Sequence, residues 1–270
     1  MHLDLPLHSQ QFEVFVKEEQ LRDWEHFKEY IASNYASEVG YVFRGQRDSS
    51  WKIESTLTRL SKRISQDITA AHLEIKQLEL FKFKIRGLRG KNPPSLQPNE
   101  MWSLGQHYGL CTPLIDWSES AFIAAYFAFE QSEESSTGFR SIYALNRYGL
   151  ECDEKFKSLT EMEFFEPIQD DNERVVSQAG LFTKLPTGED LIGWLKRNNL
   201  SSYITKINVE DEYRLEAIND LRTMNILGST VYPDLHGAAV TCNMWFETFS
   251  ENHELKKSVK KLMEMLDKQP

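Results

Sequence analysis

The sequence predicts an α+β domain, a mixed sheet flanked by helices, on three observations. Short β-favouring runs at 41–43, 141–145 and 203–207 are spread through the chain. Segments with apolar residues at helical spacing lie between them. The 270 residues, 40% hydrophobic and 12% aromatic, suffice for one large core and are far from the composition of a disordered chain.

The elements follow in order. Residues 9–35 place Phe12, Phe15, Leu21, Trp24, Phe27 and Ile31 at helical spacing with charges between, which predicts one or two amphipathic helices. Tyr41-Val42-Phe43 reads as a strand ending at Arg44-Gly45, so the Arg44 side chain sits at a strand end. Helical spacing returns over 65–90 and stops at Gly87 and Gly90, before a Pro- and Asn-rich loop at 91–100. A helix restarts at Met101 and runs into His107-Tyr108-Gly109. Residues 118–130 predict an apolar helix capped by Ser118 or Ser120, with an exposed turn between the two helices. Strands are expected at 141–145, around 174–185 with Gly180 inside, and at 203–207. A helix is expected over 211–227 with Gly228 as its stop, and an amphipathic helix from 250 onward. The division expected is a helical segment at 1–38, a core at 39–245 and a C-terminal helix at 246–270.

A net charge of −10 excludes coating of nucleic acid by uniform phosphate neutralisation. It leaves room for a local basic groove, with Lys82, Lys84, Arg86, Arg89 and Lys91 as candidates, although a solvated helix end is the plainer reading. Three widely spaced cysteines, Cys111, Cys152 and Cys242, form no disulfide framework and no metal half-site, which suits a reducing compartment. The first residues, MHLDLPLHSQQ, lack a basic and apolar leader pattern, and no run of about 18 apolar residues occurs. A cytoplasmic protein without a membrane partner is expected.

Two constellations can carry chemistry. In the first, Phe43-Arg44-Gly45-Gln46 is followed by Trp51 and by Ser55-Thr56-Leu57-Thr58-Arg59. An arginine beside glycine can present its planar fork to a phosphate or carboxylate while the glycine admits a ligand to the main chain. In the second, Gly105-Gln106-His107-Tyr108-Gly109-Leu110 and Thr112-Pro113-Leu114-Ile115-Asp116-Trp117-Ser118 crowd polar groups before an Ala-rich helix. Phe122, Tyr126, Phe127 and Phe129 on that helix read as core, and Cys111 as a space-filling thiol.

Together these stretches resemble the FRG domain family, through FRGQ…W…S…TR and QHYGL.T.L.DW..S...A.YFA. Later stretches agree: Arg174 with Gln178-Ala179-Gly180-Leu181-Phe182, and Tyr232-Pro233-Asp234-Leu235-His236-Gly237. The resemblance spans roughly residues 40–240, and it implies a bacterial or phage protein of the defence or toxin type. The layout also resembles that of ADP-ribosyltransferases, which implies a split or curved sheet and an NAD pocket, NAD being the substrate of ADP-ribosyl transfer or NAD cleavage. By that resemblance Arg44, His107, Asp116 and Gln178 are the catalytic candidates. Arg44, Gly45, Gln46, Arg59, Tyr108, Gly109, Trp117, Ser118 and Arg174 are the binding candidates. Arg44 would hold the diphosphate, Tyr108 or Trp117 would stack on nicotinamide, and His107 would bond a ribose hydroxyl. Gln178 stands where a transferase carries glutamate, which leaves Asp116 or Glu173 to supply negative charge. A protein or nucleic-acid acceptor and a regulatory partner protein remain open. A module that binds a nucleotide or nucleic acid without turnover is the alternative, and a metal-dependent hydrolase using His107, Asp116, Asp234 and His236 is a third.

Overall fold

A computed structural model describes residues 16–64, 68–167 and 180–251. The fold is α+β, with a curled seven-stranded mixed sheet in the order β1-β7-β4-β2-β3-β6-β5. The strands are β1 (Lys17–Leu21), β2 (Tyr41–Gln46), β3 (Leu114–Ser118), β4 (Phe139–Asn146), β5 (Glu163–Phe165), β6 (Gly180–Lys184) and β7 (Ile204–Glu210). Only β1 and β7 run parallel; the other pairs are antiparallel.

Helices cover both faces. On one lie α1 (Trp24–Tyr35), α5 (Ala121–Phe129) and α9 (Arg214–Thr223), which bury Trp24, Phe27, Phe129 and Leu221 against Phe43, Ile142, Ala144 and Ile207. On the other lie α6 (Arg147–Cys152), α7 (Glu154–Ser158) and α8 (Leu191–Arg197), which bury Leu150, Phe156 and Trp194 against Val42, Tyr143, Leu145 and Ile204. The period-two alternation of a strand splits Phe43 from Val42 and Ala144 from Leu145 between these faces. Burial on both faces makes residues 41–43 of β2 and 142–145 of β4 read as continuous apolar runs. A third cluster, Leu57, Trp102, Leu114 and Phe182, is covered by α2 (Thr56–Ser61), α3 (Ala70–Lys84) and α4 (Pro98–His107). The short α10 (Gly228–Val231) and the long α11 (Leu235–Glu251) close the described chain. Among the described residues no helix is long and apolar enough to cross a membrane.

Several expectations change. The stretch before Trp24 contributes a strand, β1, whose Glu18 carboxylate accepts from Asn208 and Lys206 on β7. The expected exposed turn before α5 is in part a central strand: Leu114, Ile115 and Trp117 are buried and only Asp116 is exposed. Gly228 starts a short helix rather than stopping one, and α11 runs across position 245.

Candidate functional site

The site is set by a weak seam in the sheet. β2 and β3 share one register pair, Phe43 with Ser118, whereas β2 pairs with β4 over six residues and β3 with β6 over five. The Arg44 side chain bridges the seam: its Nη1 donates to the Asp116 carbonyl oxygen at 2.7 Å and lies 3.7 Å from the Asp116 carboxylate. A cavity of about 450 Å³, a common size for a small-molecule site, opens beside it.

Six helices and strands line the cavity, among them α2 through Thr56 and β6 through Phe182. Arg44 and Gly45 come from β2, Gln106 and His107 from the end of α4, Asp116, Trp117 and Ser118 from β3, and Phe127 and Glu130 from the end of α5. Tyr232 reaches in from the loop after α10, and Gly109 and Cys111 complete the rim. Gly109, at φ +83°, turns the chain out of α4 in a conformation other residues resist.

A hydrogen-bonded relay holds the anionic side of the seam. Gln106 Nε2 donates to Asp116 Oδ1 at 2.5 Å, and the Thr112 hydroxyl donates to Gln106 Oε1. The Thr112 N–H in turn donates to the Thr56 hydroxyl at 2.9 Å. Burial lowers the pKa of the Arg44 guanidinium, the Asp116 charge opposes that, and the positive charge of Arg59 adds to it. The group stays cationic. Its Nε is buried with no hydrogen-bond partner among the described residues.

The sequence reading missed Glu130 as a site residue. It caps the C-terminal end of α5, partly buried, and accepts from the Tyr232 hydroxyl at 3.0 Å. Burial pushes its carboxyl from the ordinary 4.5 up to about 7, against the lowering effect of the Tyr232 hydrogen bond. A group raised on folding binds its proton more tightly in the folded chain, so its stabilising contribution is full below pH 4.5 and is lost as pH rises through 7. The span corresponds to about 3 kcal/mol. Urea titrations should show stability falling by an amount of that order between pH 4.5 and 7. Glu130→Gln should remove most of that slope; a slope identical to wild type would show that Glu130 does not titrate there.

The structure places the remaining candidates as follows. Gln46 is buried, does not line the cavity, and donates to the Lys52 carbonyl at 3.2 Å. Arg59 donates to the Glu54 carbonyl at 2.8 Å, outside the lining but near enough for its charge to act on Arg44. The Tyr108 ring is 76% exposed, outside the lining, and packs edge-on to His107. The Trp117 indole is 3% exposed in the core beneath α8 and donates to the Thr183 hydroxyl at 3.0 Å, which fits a packing role rather than stacking on a ligand. Phe127, read as core, is partly buried and faces the cavity beside Tyr232, with ring centroids 5.9 Å apart. Arg174, Gln178 and Glu173 lie outside the described residues.

Gly45, which lines the cavity, also has a packing role. A Cβ there would stand 1.8 Å from the Ala124 carbonyl oxygen and 2.7 Å from the Ala128 nitrogen. The space that glycine frees is filled by the backbone of α5, so Gly45 sets the distance between strand and helix. Asp234 is a helix cap, its carboxylate accepting from the Gly237 N–H at 3.1 Å, and His236 packs on the Tyr232 ring. Among the described residues no three His, Cys, Asp or Glu are grouped to hold a metal ion.

Residues 39–137 match the FRG domain. No curated protein and no solved structure matches the chain. The matched span contains β2, α4, β3 and α5, and so carries Arg44, His107, Asp116 and Glu130, while Tyr232 comes from beyond it. The chain carries an FRG domain, at residues 39–137.

Proposed function

We propose that the cavity is a nucleotide site whose ligand is NAD or a close relative, and that the domain breaks the nicotinamide–ribose bond in ADP-ribosyl transfer or NAD cleavage. The observation that carries this reading is the meeting, in one cavity, of a cationic guanidinium with an unpartnered Nε and a carboxyl raised to about 7. Arg44, with Arg59 behind it, takes the diphosphate, whose charge relieves the repulsion between the two guanidiniums. Phe127 and Tyr232 offer ring faces to the nicotinamide end. The ADP-ribosyltransferase-like layout belongs to this reading, with the aromatic-Arg-Gly strand beside the weak seam of the sheet.

The chemistry asks little of a nucleophile on the protein. Nicotinamide leaves as a neutral base with the electron pair of the bond, and the ribose carbon passes through an oxocarbenium-like state. A water oxygen, or an acceptor in transfer, then bonds to that carbon and releases its proton to solvent. What accelerates the step is positioning and a nearby negative charge. Ionised Glu130, oriented by the Tyr232 hydroxyl, supplies that charge and accepts from a ribose hydroxyl; His107 lines the same space. A chain that consumes NAD in this way would act as a toxin-type effector, against phage among other targets.

The test is nicotinamide release from NAD by the full chain. Wild type should turn over. Arg44→Ala should lower kcat/KM about a hundredfold, the loss of a charge-assisted hydrogen-bonded contact. Glu130→Gln should act mainly on kcat. Absence of release by wild type, together with ADP-ribose binding that Arg44→Ala abolishes, would replace this reading with that of a nucleotide-binding module.

A further inference from the structure

The end of α3 carries a strip unlike the rest of the chain. Lys82, Lys84, Arg86, Arg89 and Lys91 fall within ten residues, and no acid lies between Glu79 and Glu100, in a chain of net charge −10. None of the five pairs with a carboxylate among the described residues. Apolar groups stand out between them: Phe83 is 56% exposed and Leu88 78%. The Arg86 guanidinium lies 3.6 Å from the centre of the Phe83 ring and is held there by Nε donating to the Phe83 carbonyl at 3.0 Å. No residue of α3 is fully buried. A solvated helix end explains the lysines, because cations suit a helix C-terminus. It does not explain a phenylalanine beside them that keeps more than half of its surface in water, with only one ring face covered, by Arg86.

The strip is tied to the cavity wall. Gln77, on the same helix, donates to the Cys111 carbonyl at 3.4 Å, and Cys111 lines the cavity. Lys84 follows seven residues later, about 10 Å along the helix.

We propose that residues 82–91 form a docking surface for a single strand of nucleic acid, with phosphates against Lys82, Lys84, Arg86 and Lys91 and one base stacked on Phe83. Alternating cations and apolar side chains match a polymer that alternates phosphates and rings. A broad anionic surface such as a membrane would also meet the acids that bracket the strip, Glu79 and Glu100, whereas a strand can follow the strip alone. This inference does not depend on which ligand fills the cavity.

The experiment is fluorescence anisotropy of the full chain with a labelled twelve-nucleotide oligouridylate, the DNA equivalent, a duplex of the same length, and vesicles containing phosphatidylserine. Single strands should bind with a slope of log K against log salt of about −2 to −3, as for three or four phosphates. The Lys82→Glu, Lys84→Glu, Arg86→Glu triple variant should weaken binding by about tenfold or more and flatten the slope. Phe83→Ala should weaken it about fivefold with the slope kept, and Arg44→Ala should leave it unchanged. Wild type binding single strands no more tightly than the triple variant overturns the proposal, as does a preference for duplex or vesicles.

Discussion

Gly45→Ala is expected to cost about 3 kcal/mol, the upper end of the usual range for overpacking. The added methyl group would meet the carbonyl oxygen of Ala124 at 1.8 Å and the nitrogen of Ala128 at 2.7 Å. Both are backbone atoms of α5, so no side-chain rotation relieves the clash and the helix must withdraw from β2. The same helix buries Ala124, Ala125, Tyr126, Ala128 and Phe129 and carries Phe127 and Glu130 to the cavity, so the loss of packing and the loss of the site should coincide. Equilibrium urea unfolding measures the first and ligand binding the second. A variant within about 0.5 kcal/mol of wild type, the range of an ordinary surface change, would mean that strand and helix are not in contact at this point.

Arg140→Met is expected to cost about 3–5 kcal/mol, the range for removing one partner of a buried ion pair. Arg140 is fully buried and paired with Asp211. Its guanidinium donates to the carbonyl oxygens of Ala128, Gln131 and Glu133 at 2.8, 2.9 and 2.9 Å. These include carbonyls that the end of α5 leaves without intrahelical partners, and a cation there also opposes the helix dipole. Arg214 repeats the arrangement on the carbonyls of Phe129, Glu130 and Gln131 and pairs with Glu247 at 2.6 Å. Two arginines thus hold the turn that presents Glu130. Methionine keeps much of the volume, takes the donor from the Ala128 and Glu133 carbonyls and leaves Asp211 without its cation, while Gln131 keeps Arg214 and Asp211 keeps the Ser135 N–H. The control is Arg147→Met, which breaks partly exposed pairs with Glu151 and Glu166 and should cost about 1 kcal/mol or less by the same denaturation measurement. Equal costs for the two variants would show that the Arg140 clamp adds nothing beyond an ordinary surface pair.

The parts of the site that were legible in the sequence share one property: their local chemistry is unusual for its place. Arginine and glycine after a short aromatic run, and a His, Asp and Ser crowded before an Ala-rich helix, stand out in a short window, and Arg44, His107 and Asp116 do line one cavity, although β2 runs on through Gln46 and does not end at Arg44. Glu130 did not stand out, because one acid after nine apolar residues reads as the ordinary solvated end of a helix. The signal was present but unspecific: the pairing of Glu130 with Tyr232 joins residues 102 apart in the chain. The surroundings of the aromatic candidates were hidden for a related reason. Tyr108 and Trp117 both lie in the motif, but strand alternation sends Trp117 to the face opposite Asp116, into the core, while Tyr108 points out from the end of α4. Phe127, in a helix that reads as core throughout, is the ring that faces the cavity.

Composition, periodicity and motif order were enough by themselves to determine the α+β class, the strands β2, β4, β6 and β7, the helices α1, α3, α4, α5 and α9, and the FRG domain, because each depends on interactions within about ten residues; Arg44, expected at a strand end, instead lies inside β2 opposite Tyr143. Strand order, the single register pair between β2 and β3, and the two-arginine clamp on α5 were decided only in the folded chain. So was the meaning of Gly45, whose missing side chain serves a helix some eighty residues further on. A cavity is the space left where elements fail to fill one another. Its lining and the proton affinity of a carboxyl buried in it depend on distances between segments that a local pattern does not encode.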